Sequence, residues 1–70
     1  MSLRTKIREL RLRDRLSQEE LAQRVDLRAG VRRETIGHLE NGHYNPSLKL
    51  AMDIAHVFGC TVEDIFFFED

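Results

Sequence analysis

Tryptophan is absent from these 70 residues, and cysteine and proline occur once each, at Cys60 and Pro46. One cysteine excludes an internal disulfide. His56 and Cys60 stand four apart, but Gly59 interrupts the helix between them and no second pair has zinc spacing, so no metal is expected. No apolar run approaches the ~20 residues of a membrane span, no lipidation motif is present, and MSLRTKIREL carries charges where a secretory signal needs an apolar core. A cytoplasmic protein without membrane contact is the expectation. Neither a Ser-His-Asp or Cys-His arrangement nor a glycine-rich phosphate loop is visible, and a chain this short leaves little room for a substrate cavity. No enzyme and no cofactor is expected, and residues 1–70 are read as one domain.

Basic charge is scarce in the second half of the chain. Residues 1–35 hold ten basic and six acidic residues, and residues 36–70 hold one lysine and six acids, so a net charge of -1 conceals a basic and an acidic pole. The average argues against a general polyanion binder. The basic residues are either a solvated helix face or a surface for phosphate.

Five short helices are predicted and no strand. Leu3, Ile7 and Leu10 repeat at helical spacing, with Ser2 as cap and an end near Asp14. Ser17 and Glu20 form a capping box ahead of Leu21, Ala22 and Val25. A third helix of about two turns follows Gly30, turning Val31, Ile36 and Leu39 inward and stopping at Asn41-Gly42. Ser47 caps a fourth that buries Leu50, Ala51, Ile54, Ala55 and Phe58 and ends at Gly59. Thr61 and Asp64 repeat the capping signal before a last turn with Val62, Ile65 and Phe66.

The third helix is unusual in what it leaves outside. Arg33, Glu34 and His38 share a short segment with Gly37, although glycine costs roughly 1 kcal/mol in a helix interior. In a B-form major groove, arginine can fork onto guanine O6 and N7, glutamate can accept from cytosine N4, and histidine can meet a base edge. Gly37 either permits a close approach or is a propensity defect that packing tolerates.

Taken together, LSQEELAQRV, GVRRETIGHLENG and YNPSLKLAMDIAHVFG resemble the Cro/repressor-type (XRE-like) helix-turn-helix family, over roughly residues 3–67. The resemblance implies an all-α, compact five-helix, lambda-repressor-like domain, with the helix-turn-helix proper at about 17–40 and a recognition helix at about 32–40. The implied function is that of a sequence-specific regulator of transcription, a repressor, bound to double-stranded DNA. It assigns base contacts to Arg33, Glu34 and His38. Gln18, Arg32, Thr35, Asn41, Tyr44 and Asn45 would meet phosphate. Arg32 stands where the family has a capping Ser or Thr, which leaves open whether Arg32 or Arg33 reads a base. The resemblance also pairs Arg11 with Glu40.

Asp26-Leu27-Arg28-Ala29 lengthens the family's turn by four residues. Four residues are close to one helical turn, so either the second helix runs on to Gly30 or they bulge out as a loop. The loop is expected, with Arg28 beside the DNA backbone, because Val31, Ile36 and Leu39 need their usual places against Leu21 and Val25. One recognition helix covers few base pairs, so a homodimer is expected, with Phe67 and Phe68 at its interface. The competing reading is a protein-interaction module of the same fold, such as an antitoxin subunit with a protein partner. Arg32 and Arg33 favour DNA.

Overall fold

The computed structural model describes residues 2–25, 31–43 and 45–69. Its elements run β1 (Ser2–Thr5), α1 (Ile7–Arg13), α2 (Gln18–Val25), α3 (Arg33–Glu40), α4 (Leu48–Phe58), α5 (Val62–Ile65) and β2 (Phe66–Glu69). The five helices dominate, as the resemblance implies.

The two ends correct the sequence reading. Ser2 caps no helix; α1 begins at Ile7 with Lys6 as its N-cap, and Phe66 belongs to a strand. β1 and β2 pair antiparallel, with Leu3 opposite Phe68, Arg4 opposite Phe67 and Thr5 opposite Phe66. Three consecutive phenylalanines fit a pleated, half-buried surface better than a helix. The Lys6 amide donates to the Ile65 carbonyl at 2.8 Å, so the ladder runs directly into the start of α1. Once Leu3 has Phe68 opposite it, helical spacing with Ile7 is no longer what places it.

Local chemistry sets the other boundaries. Glu20 N donates to Ser17 Oγ at 3.0 Å while Ser17 N donates to Glu20 Oε1 at 2.9 Å, closing the box that starts α2. Thr61 and Asp64 do the same for α5, and Ser47 Oγ accepts from Leu50 N at the head of α4. α3 ends in a left-handed Gly42 (φ 73°), with Gly42 N bonded to Leu39 O and His43 N to His38 O. This 6→1, 5→2 pattern satisfies carbonyls that the helix would otherwise leave open. α1 ends in the same pattern, but its left-handed residue is Arg15 (φ 57°).

One core receives all five helices. Ile7, Leu21, Ile36, Leu39, Ile54 and Ile65 are fully buried, joined by Leu16, Ala22, Val25, Ala55 and Phe58. Each large aliphatic side chain so buried contributes about 1.5–3 kcal/mol relative to exposure. Ile36 and Leu39 hold α3 against α2 and leave its opposite face to solvent.

Candidate nucleic-acid interface

An eight-residue helix turns by about 100° per residue. On α3 this places Arg33, Gly37, Glu34 and His38, in that angular order, across an arc of about 140°. Arg33, Glu34 and His38 are exposed and Gly37 is half-buried, whereas Ile36 and Leu39 on the opposite side are buried. The structure therefore gathers the three candidate base contacts on one outward face, with the glycine between them. Thr35 lies half-buried at the margin of that face.

The N-terminus of α3 is exposed as well. Arg32 is its N-cap in extended conformation, with no side-chain capping bond, so its exposed guanidinium is available elsewhere. The Glu34 carboxyl is held below its ordinary pKa chiefly by its own backbone N–H, with the Arg33 guanidinium and the charge of Arg32 adding to the effect. Arg33 Nε lies 3.5 Å from Glu34 Oε1. A carboxylate so placed is an acceptor, the role a cytosine amino group requires. Both side chains are largely in solvent, and such a surface pair can be exchanged for other partners at little cost.

Gln18, the first residue of α2, comes to this face from the other helix. Its side chain runs over Gly37: a Cβ built on that glycine would sit 3.5 Å from Gln18 Nε2 and 3.7 Å from Oε1. Both distances are ordinary van der Waals contact, so the glycine leaves the Gln18 carboxamide close to the helix backbone. Glu19 and Gln23, on one stripe of α2, line a shallow concavity with Val31, Arg32, Arg33 and Glu34. Sequence reasoning passed over these two, although their i, i+4 spacing beside Gln18 is a signal for a shared face.

Behind the face lies the pair of Arg11 and Glu40. Arg11 Nε donates to Glu40 Oε2 at 2.8 Å and Nη2 to Oε1 at 3.3 Å, with 12% and 5% of the two side chains exposed. Arg11 Nη1 donates to the Leu16 carbonyl at 2.9 Å, so one guanidinium ties α1, the turn before α2 and α3 together. Gln18 Nε2 donates to Glu40 Oε1 at 3.2 Å, a contact that no local pattern in the sequence marks.

The remaining candidates are dispersed. Asn41 and Asn45 are exposed on either side of the turn after α3. Arg28 and the rest of Asp26–Ala29, like Tyr44, lie outside the described residues, and with them the expected loop. Phe67 and Phe68 do not share a surface, because successive strand residues point to opposite faces. Phe67 lies beneath the Lys6 ammonium, 5.9 Å from the ring centre, whereas Phe68 borders an apolar groove with Leu3, Pro46, Leu48, Ala51 and Phe66. Among the described residues, no group of three His, Cys, Asp or Glu could hold a metal, and no helix is long and apolar enough to cross a membrane.

A helix-turn-helix family model matches residues 7–65. A protein of Archaeoglobus fulgidus described as an uncharacterized HTH-type transcriptional regulator is 57% identical over 97% of this chain and 90% of its own length. Proteins with the same description from Methanocaldococcus jannaschii and Bacillus subtilis are 46% and 41% identical, each over 97% of both chains.

Proposed function

The chain belongs to the Cro/repressor-type helix-turn-helix family, and from that premise we propose that it is a sequence-specific double-stranded-DNA-binding regulator of transcription, acting as a repressor. The observation that carries this reading is the outward face of α3, where Arg33, Glu34 and His38 surround a glycine. In the major groove, Arg33 forks onto a guanine, Glu34 accepts from a cytosine amino group and His38 meets a neighbouring base edge. Gln18, Arg32, Thr35, Asn41 and Asn45 meet phosphate, which fixes register without reading sequence. Arg28 and Tyr44 keep the same role on the resemblance alone. A repressor then acts by occupying its site and excluding other proteins.

The acting species is a homodimer. α3 is about 12 Å long at 1.5 Å per residue and spans roughly four base pairs, too few for a specific site. Its second copy covers the groove beside Phe68. There Phe68 is 68% and Leu48 71% exposed, whereas Phe67, at 38%, already has the Lys6 ammonium over it. Knob and groove on one surface are what a two-fold, self-complementary contact needs. The domain measures 33 × 22 × 18 Å, so two copies in contact can set their recognition helices about one DNA turn, ~34 Å, apart.

Selection from a random duplex pool tests the reading. It should enrich one two-fold symmetric motif with half-sites ~10 base pairs apart, and a pool that stays random would sink it. Sedimentation should give a dimer that Phe68→Ser dissociates and Phe67→Ser does not. A wild-type monomer at tens of micromolar would remove the proposed interface.

A further inference from the structure

We infer that Glu40 is a positioning residue for DNA binding: through one hydrogen bond it fixes which end of the Gln18 carboxamide faces outward, so that the phosphate contact is ordered before DNA arrives. The inference rests on the reading of Gln18 as a phosphate contact and goes beyond it, since Glu40 touches no DNA.

Glu40 Oε1 receives Gln18 Nε2 at 3.2 Å and Arg11 Nη2 at 3.3 Å, while Oε2 receives Arg11 Nε at 2.8 Å. An ionised carboxylate only accepts. Gln18 must therefore turn its nitrogen, not its oxygen, toward Glu40. The Glu40 carboxylate is itself immobile, 5% exposed and clamped by a guanidinium that also holds the Leu16 carbonyl. Below the amide lies Gly37, whose backbone the carboxamide passes closely enough that a Cβ there would sit 3.5 Å from Gln18 Nε2, at ordinary contact. One Nε2–H is thus committed to Glu40, and the other is left to donate. A phosphate oxygen, which has no proton to give, can use that donor.

Ordering a rotamer-rich side chain on binding costs roughly 2- to 12-fold in affinity, from about 0.5–1.5 kcal/mol. Glu40 removes that cost in the free protein. Its charge alone has the opposite sign: an acid near the phosphates repels them, and its neutralisation should tighten binding. The two roles are therefore separable.

The test is a double-mutant cycle on a selected duplex, read by fluorescence anisotropy at a temperature where circular dichroism shows every variant folded. The loss caused by Gln18→Ala should be roughly 2- to 12-fold larger in the wild-type than in the Glu40→Leu background, where position 40 offers neither acceptor nor donor and the Gln18 amide is released. Equal losses in both backgrounds would overturn the inference. The wild-type protein alone supplies a second measurement should Glu40→Leu not fold. In its free state, NMR should show the Gln18 side-chain amide ordered, with contacts to Gly37, while that of exposed Gln23 is averaged. An averaged Gln18 amide would overturn this inference and leave DNA binding standing; failure to bind any duplex would remove the reading beneath it.

Discussion

Removing the Arg11 guanidinium should cost far more than removing the whole ion pair. In Arg11→Met, the aliphatic stem is largely kept. Glu40 then retains a carboxylate only 5% exposed whose remaining partner among the described residues is the neutral Gln18 amide, and the Leu16 carbonyl loses its Arg11 donor. A buried charge stripped of its counter-ion costs about 3–5 kcal/mol, and an orphaned carbonyl about 1 kcal/mol more. A 70-residue domain has a stability of roughly 4–10 kcal/mol, so the variant should be near its unfolding threshold at 25 °C. Arg11→Met combined with Glu40→Leu removes both charges and should fall within about 1–2 kcal/mol of wild type, because a buried pair replaced by apolar side chains is often neutral. Urea titration followed by circular dichroism at pH 7 reads all three proteins, with an unchanged slope confirming two-state behaviour. An Arg11→Met variant within 1 kcal/mol of wild type, or a double variant as unstable as the summed singles, would refute the reasoning.

Gly37→Ala should raise stability by roughly 0.5–1 kcal/mol, since the new methyl meets Gln18 at ordinary contact distance, and should lower DNA affinity by narrowing the outward face; a melt and an anisotropy titration separate the two effects. Arg15→Gly should stabilise by roughly 0.5–1 kcal/mol in a thermal melt, because Arg15 holds a left-handed φ of 57° that costs glycine nothing, less the entropy of the added glycine. Glu20 and Asp64 have depressed pKa values, first because their carboxylates accept the backbone N–H of Ser17 and Thr61 and then because of the hydroxyls of those residues. Folded values below unfolded ones mean that this stability is fully present above the ordinary carboxylate range and is lost as pH falls below ~4. Glu20→Gln and Asp64→Asn should therefore lose less stability than wild type between pH 7 and 3, and an equal loss would count against the capping account.

What could be read from the chain was local. Ser17 with Glu20, Ser47 ahead of Leu50, and Thr61 with Asp64 announce helix starts because partner and cap lie three residues apart. The strands were missed because Leu3 needs Phe68 to form a ladder, 65 positions away, and nothing beside Leu3 records that partner. That omission carried into the site. With no strand expected, Phe67 and Phe68 looked like one patch, whereas alternation puts them on opposite faces. Arg15 bears no sign of its left-handed turn, since neither glycine nor asparagine stands there. Arg11 with Glu40 came from the resemblance, and the link from Glu40 to Gln18 crosses 22 positions between two helices, beyond any helical spacing. The chemistry of Arg33, Glu34 and His38 was legible because one helix face is a local property.

The most direct test of DNA reading by α3 compares Arg33→Ala with wild type on two duplexes, the selected site and a scrambled one of equal composition, at ~0.15 M salt. Wild type should prefer the selected site by at least ~10³-fold. Arg33→Ala should lose about 1–3 kcal/mol on the selected site and little on the scrambled one, so that preference at the guanine position relaxes. Equal wild-type affinity for the two duplexes, or an equal loss on both for Arg33→Ala, would contradict it.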